Sequence, residues 1–233
     1  KLRRGRFDRV YDLQTSTRPN SYFRFFPSRR KPEWCGIAKG SSHPHDSPLR
    51  TKIHTIERHI DQLKVVGIES VPPVDFTWAM TDISRFELPE KYALLVPGGS
   101  AHRPEKRWPA ARFAELAVYL DSKGITPVLV GGKAEAEAIA TIREHCPAAI
   151  DLSSRTEFGD IAALGAGATL AVGNDTGPLH LISAVGCKTV VLFSKASDPH
   201  MSRPRGQDVT VLREDDLADL PLAAVLGSLG LDE

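Results

Sequence analysis

Apolar positions recur with two different rhythms along the chain, and the change of rhythm divides it. Over residues 7–14 apolar and polar residues alternate and then turn polar, which predicts a strand ending in a loop. Residues 20–26 predict a short aromatic helix before Pro27, and residues 34–38 a short strand. Residues 39–50, rich in Ser, Pro and His, read as a loop. Ile53, Ile56, Ile60, Leu63 and Val66 then return at helical spacing, so residues 54–66 form an amphipathic helix closed by Gly67. Val71-Pro72-Pro73 and the irregular stretch up to Pro89 read as an interdomain linker.

Beyond Pro89 the pattern becomes regular. Short apolar runs at 92–96, 127–130, 149–152, 169–172, 189–193 and 209–212 predict strands. Helical patterns at 109–122, 134–145, 158–166, from Pro178 onward and at 221–229 fall between or after them. Such alternation predicts an α/β fold with a doubly wound parallel sheet covered on both faces. Ligands in these sheets sit outside the carboxyl ends of the strands, which directs attention to the loops there.

Composition adds a few exclusions. The chain has 233 residues, 41% hydrophobic and 25% charged, with a formal net charge of +1, so it has the make-up of a globular domain or two. A near-neutral balance gives no reason to expect nucleic acid as a partner. The charge is uneven, however. Residues 1–31 hold ten Lys/Arg against two Asp, and residues 206–233 hold seven acidic residues against one Arg. Together with Tyr22, Phe23, Phe25 and Phe26, the basic end suits a membrane-surface or lipid-phosphate patch. A solvated surface explains it equally. The three scattered cysteines form no metal spacing and fit a reducing compartment. His43, His45, Asp46, His54 and His59 lack closed ligand spacing, so no metal site is expected.

The most informative stretch runs from Val172 through Gly173-Asn174-Asp175-Thr176-Gly177-Pro178-Leu179-His180. It passes from a buried strand through a polar turn into a helix with Pro178 near its start and Asp175 or Thr176 as N-cap. Free N–H groups and a positive dipole end at such a place favour phosphate. His180, one turn in, could face the same crevice. Three other strand-end loops converge there by topology. Pro97-Gly98-Gly99-Ser100, followed by Lys106-Arg107-Trp108-Pro109, offers close backbone approach and phosphate partners in Ser100 and Lys106. Gly131-Gly132 precedes Glu135, which either favours its helix dipole or accepts from a ribose diol. Residues 151–156 lie beside a base or act as a plain cap. No GxGxxG fingerprint and no P-loop occurs, which argues against a dehydrogenase or P-loop nucleotidase.

These motifs, in this order over residues 92–204, resemble the ADP-heptose:lipopolysaccharide heptosyltransferases, glycosyltransferase family nine. Residues 7–14 with Arg18 resemble the family's last N-domain strand and the loop after it. The resemblance implies a GT-B fold: two Rossmann-like domains with parallel sheets, the N-terminal one incomplete here. It implies a partial acceptor-binding domain at 1–80, a nucleotide-sugar-binding domain at 81–213, and a terminal helix at 214–233 packing near the domain junction. The implied activity is inverting, metal-independent transfer of a heptose-like sugar to a lipopolysaccharide or related glycan. The donor is a nucleotide-diphospho-sugar, ADP-linked, and no cofactor is implied. By the resemblance, Lys106 and Ser100 contact the diphosphate, Glu135 the ribose, and Asp175, Thr176 and Gly177 the sugar and phosphates, with His180 nearby. Asp12, Gln14 and Arg18 fall on the acceptor side. The family begins with a strand, a glycine-bearing loop and a helix that supply an Asp as general base; none of that is found before Phe7, so no catalytic base is assigned, and the chain reads as one entered partway through a domain. A cytoplasmic location at the inner membrane is implied. The alternatives are a non-catalytic nucleotide-sugar-binding module and a sugar-nucleotide epimerase on the same fold.

Overall fold

The computed structural model describes residues 5–27, 29, 31–99 and 103–231. The chain divides into two compact units, Lys1–Pro73 and Val74–Glu233.

In the first unit, strands β1 (Arg9–Tyr11), β2 (Glu33–Gly36) and β3 (His43–Pro44) form a parallel sheet in that order. Helix α1 spans Thr17–Phe23, starting and ending three residues earlier than the aromatic run suggests. Its Phe23 packs on Trp34 with ring centroids 5.3 Å apart, in a small core with Phe26 and Ala38. Helix α2 (Thr55–Lys64) is capped by His54, whose ring nitrogen accepts the Ile56 N–H. Buried Gln62 ties α2 to the sheet by donating to the carbonyls of Asp12 (2.9 Å) and Cys35 (3.2 Å). The short β3 falls inside the expected loop; two residues beside a proline are too few for alternation to register.

The second unit carries a six-stranded sheet, every neighbouring pair parallel: β4 (Tyr92–Val96), β5 (Thr126–Leu129), β6 (Ile150–Asp151), β7 (Leu170–Asn174), β8 (Thr189–Phe193) and β9 (Val209–Arg213). Their spatial order is β6-β5-β4-β7-β8-β9. The order reverses between β4 and β7, the position at which doubly wound sheets open a crevice at their carboxyl edge. The pleat sorts the strands' side chains onto two faces. Ala93, Leu95, Leu170, Val172, Val190 and Leu192 meet helices α3 (Ala110–Ser122), α4 (Ala136–His145) and α8 (Leu222–Leu229). Leu94, Val96, Ala171, Val191 and Phe193 meet α5 (Phe158–Gly167) and α6 (Gly177–Ala184). Because both faces are buried, the strands read as unbroken apolar runs. A short helix α7 (Pro199–Ser202) lies between β8 and β9.

The expected linker behaves differently from its composition. Residues 74–89 belong to the second unit and carry two 3-10 turns, Thr77–Ala79 and Ser84–Phe86. Phe86 is buried in the core, and the Thr81 amide donates to the Gly159 carbonyl. Asp160, buried in the first turn of α5, accepts from Arg85 (2.6 Å), from the Glu157 amide (2.8 Å) and from the Thr81 hydroxyl. Pro and polar residues read as an interdomain linker, but a buried carboxylate, a core phenyl ring and a backbone hydrogen bond tie this strap to the second unit. Replacing Asp160 by Ala strands these donors, so Asp160→Ala should lower unfolding free energy by roughly 2–4 kcal/mol. Arg85→Ala, at a half-exposed guanidinium, should cost under about 1 kcal/mol. Urea denaturation of both variants checks the ranking.

Candidate functional site

The reversal between β4 and β7 brings together the loops after β4, β5 and β7, and they enclose a cavity of about 500 Å³. Its lining includes Gly98 and Gly99, Gly131 and Gly132, Glu135, and Asp175 to Pro178 at the start of α6. Val96, Val130 and Ile161 give it an apolar wall beside Thr156.

The loops hold this arrangement through Asn174, the last residue of β7, which is fully buried. Its side-chain oxygen accepts the Trp108 amide (3.0 Å), and its side-chain nitrogen donates to the carbonyls of Pro97 (2.9 Å) and Gly98 (3.0 Å). Gly173 permits this closeness, since a Cβ there would lie 2.7 Å from Val96 atoms. Trp108 is anchored in turn by donating to the Leu220 carbonyl at 3.0 Å. The loop after β4 thereby delivers Lys106 and Arg107 to the cavity rim.

Lys106 Nζ lies 2.9 Å from Asp175 Oδ2, which also accepts from the Ser197 hydroxyl at 2.9 Å. His180 Nε2 lies 3.5 Å from Asp175 Oδ1. Burial pushes the Asp175 carboxyl up, but donation from His180, Lys106 and Ser197 outweighs it and holds its pKa down at about 2. Across the cavity, Glu135 Oε2 accepts the Gly132 amide (2.8 Å), and Oε1 lies 3.5 Å from Arg107 Nη2. Arg107 also donates to the Gly99 carbonyl at 2.7 Å. Among the described residues, no group of three or more His, Cys, Asp and Glu could hold a metal ion.

Of the residues singled out from sequence, Glu135, Asp175, Thr176 and Gly177 line one cavity, and Lys106 and His180 join it through Asp175. Ser100 lies outside the described residues. The N-cap expectation needs correction. Thr176 holds the N-cap position in extended conformation without a side-chain cap bond, and its buried hydroxyl has no partner among the described residues. The Asp175 carboxylate is taken by Lys106 and Ser197 instead. Asp12 and Gln14 line a separate cavity of about 420 Å³ in the first unit, with Arg9, Tyr22 and Trp34. Asp12 is buried, accepts the Thr15 amide at 3.1 Å, and has its carboxyl pushed up by burial. Arg18 is exposed on α1 and outside that lining. Sequence reasoning missed Ser197, Arg107 and the bridging role of Asn174. Asn174 carried a signal, a carboxamide ending an apolar strand; Ser197, in a polar loop, carried none.

A carboxyl held at about 2 when folded, against an unfolded value near 3.9, binds protons more weakly in the folded state. Its contribution is therefore complete above about pH 4 and fades as pH falls toward 2, with a size of roughly 2 kcal/mol. Acid titration of stability should show this limb, and Asp175→Asn should flatten it.

The model of glycosyltransferase family 9 (heptosyltransferase) matches residues 1–222. Lipopolysaccharide heptosyltransferase 2 of Escherichia coli K12 is 30% identical, over 91% of this chain and 66% of its own length. Lipooligosaccharide heptosyltransferase 2 of Haemophilus influenzae is 28% identical, over 49% of this chain and 34% of its own. The chain thus spans about a third to two thirds of the curated relatives it matches. Among solved structures, E. coli ADP-heptose lps heptosyltransferase II superposes with a TM-score of 0.76 at 24% identity, over 98% of this chain and 77% of that one. E. coli heptosyltransferase WaaC with ADP gives 0.75 at 23% identity, over 97% and 73%. The fold is accordingly the α/β, parallel-sheet GT-B type. The chain belongs to glycosyltransferase family 9, the heptosyltransferases.

Proposed function

We propose that the cavity between the β4 and β7 loops binds the nucleoside diphosphate of an ADP-linked sugar, and that the protein transfers a heptose-like sugar from it to a lipopolysaccharide or related lipid-linked glycan. The observation that carries this reading is the convergence of two Gly-Gly turns and the first turn of α6 on one cavity. A helix start with no side-chain cap offers N–H groups and a positive dipole end to phosphate oxygens. Lys106, held at the rim by Asp175, supplies a further donor. Glu135 has lone pairs left for a ribose diol after accepting the Gly132 amide and facing Arg107. Val96, Val130 and Ile161 offer an apolar wall to a base.

Transfer builds positive charge at the anomeric carbon and negative charge on the departing diphosphate. Preorganised N–H groups and a fixed cation stabilise that departing charge without reorganising at the moment of reaction. In this reading displacement is in-line, inverting and metal-independent. Asp175, Thr176 and Gly177 lie against the sugar and phosphates, with His180 adjacent and Ser100 on the diphosphate. Asp12, Gln14 and Arg18 serve the acceptor side, and the basic N-terminal residues meet an anionic lipid at the cytoplasmic face of the inner membrane. Domain roles follow the two units of the chain, the first serving the acceptor and the second the donor.

Gly177 separates a ligand site from a mere helix start. A Cβ there meets no atom of the described residues within 4 Å, so their packing does not require glycine. Calorimetric titration with ADP, GDP and UDP should give saturable binding of ADP. Lys106→Ala should weaken it at least about tenfold, the worth of one charge-assisted hydrogen bond. Gly177→Leu should abolish binding while leaving the melting transition in place. Binding of none of the three to folded protein contradicts the donor-site reading.

A further inference from the structure

The cavity is an unusual receptacle for a polyanion. Its described lining contains two carboxylates, Glu135 and Asp175, and no Lys or Arg. The two adjacent cations are each committed to one of these carboxylates, Lys106 to Asp175 at 2.9 Å and Arg107 to Glu135 at 3.5 Å. Asp175 is the stronger of these features. Its side chain is only 10% exposed, it stands directly before the first turn of α6, and one of its oxygens carries both Lys106 and Ser197. Among the described residues, attraction for phosphate therefore rests on backbone N–H groups, on the Thr176 hydroxyl and on the donor capacity Lys106 keeps.

Resting on the proposed donor reading, we infer that Asp175 is a charge discriminator: it disfavours a free nucleoside diphosphate relative to the same diphosphate esterified to sugar, and so promotes departure of the product. The chemistry supplies the difference to be sensed. In transfer, the acceptor hydroxyl oxygen bonds to the anomeric carbon and its proton passes to a base. The anomeric C–O bond breaks, and its electron pair stays on the diphosphate, which gains one negative charge. A fixed carboxylate one residue before the phosphate-facing helix turn repels that added charge. The sugar ester, lacking it and bringing hydroxyls, meets a hydrogen-bond acceptor instead. Lys106 and Ser197, both on Oδ2, hold the carboxylate in place, and His180, 3.5 Å from Oδ1, flanks the remaining oxygen.

The test is calorimetry of ADP, ADP β-methyl ester and ADP-heptose on the wild-type chain and Asp175→Asn, an isostere that still accepts from Lys106. The β-methyl ester removes the added charge with minimal bulk. Wild type should bind the methyl ester more tightly than ADP. In Asp175→Asn, ADP should tighten about three- to tenfold, as expected for relief of one near charge in a partly solvated site, and the preference for the ester should shrink accordingly. ADP-heptose should not tighten. Unchanged or weakened ADP binding by Asp175→Asn, with wild type binding ADP, overturns the discriminator and leaves the donor site standing. Failure of wild type to bind ADP at all overturns the donor site and the discriminator with it. Should Asp175→Asn not fold, the wild-type comparison decides alone: ADP binding more tightly than its methyl ester overturns the inference.

Discussion

One buried carboxamide holds the site together. Asn174 closes β7 and spends its oxygen and both donor directions on backbone groups of the loop after β4 and the entry to α3. A buried polar side chain is costly unless its bonds are made, and here they are made to three backbone groups of the loop. Residues 97 and 98 at one end of the loop and Trp108 at the other are thereby fixed to the strand on the far side of the topological reversal. Gly98 lines the cavity, and Lys106 and Arg107 reach its Asp175 and Glu135, because of that suture, and Gly173 lets the two strand ends approach closely enough for it to form.

Within this frame the electrostatics are balanced rather than simply positive. Each cation at the rim faces a carboxylate, and the Asp175 group stays ionised down to about pH 2 because three donors outweigh its burial. Oriented backbone N–H groups then become the main source of positive potential. They cost nothing to reorganise and cannot follow a departing anion, whereas a free lysine could. In the proposed reading, a site so built holds an esterified diphosphate and still releases the bare one.

The sheet of the second unit was legible because both of its faces are buried. Near-continuous apolar runs separated by glycine turns leave few alternatives, and strands such as Tyr92–Val96 and Thr189–Phe193 fall on the residues their patterns indicate. The carboxyl-edge loops were legible for the same reason, since topology dictates where they meet. Three features were not. The strap at 74–89 looks like linker because its anchor, Asp160, lies some eighty residues away. The helix α6 start looks like a capped one because spacing cannot tell whether Asp175 turns to its own helix or to Lys106. Ser197 reaches Asp175 from 22 residues downstream through a loop with no periodicity. All three are set by tertiary partners rather than local pattern.

The central claim is that a nucleoside diphosphate sits at the carboxyl edge of the β4–β7 reversal. Its most direct test is amide NMR of the labelled chain titrated with ADP. The glycine amides of residues 98, 99, 131, 132 and 177 and the Thr176 amide should shift together, with one dissociation constant. Saturable shifts confined to other amides, with these six unmoved, would contradict the account.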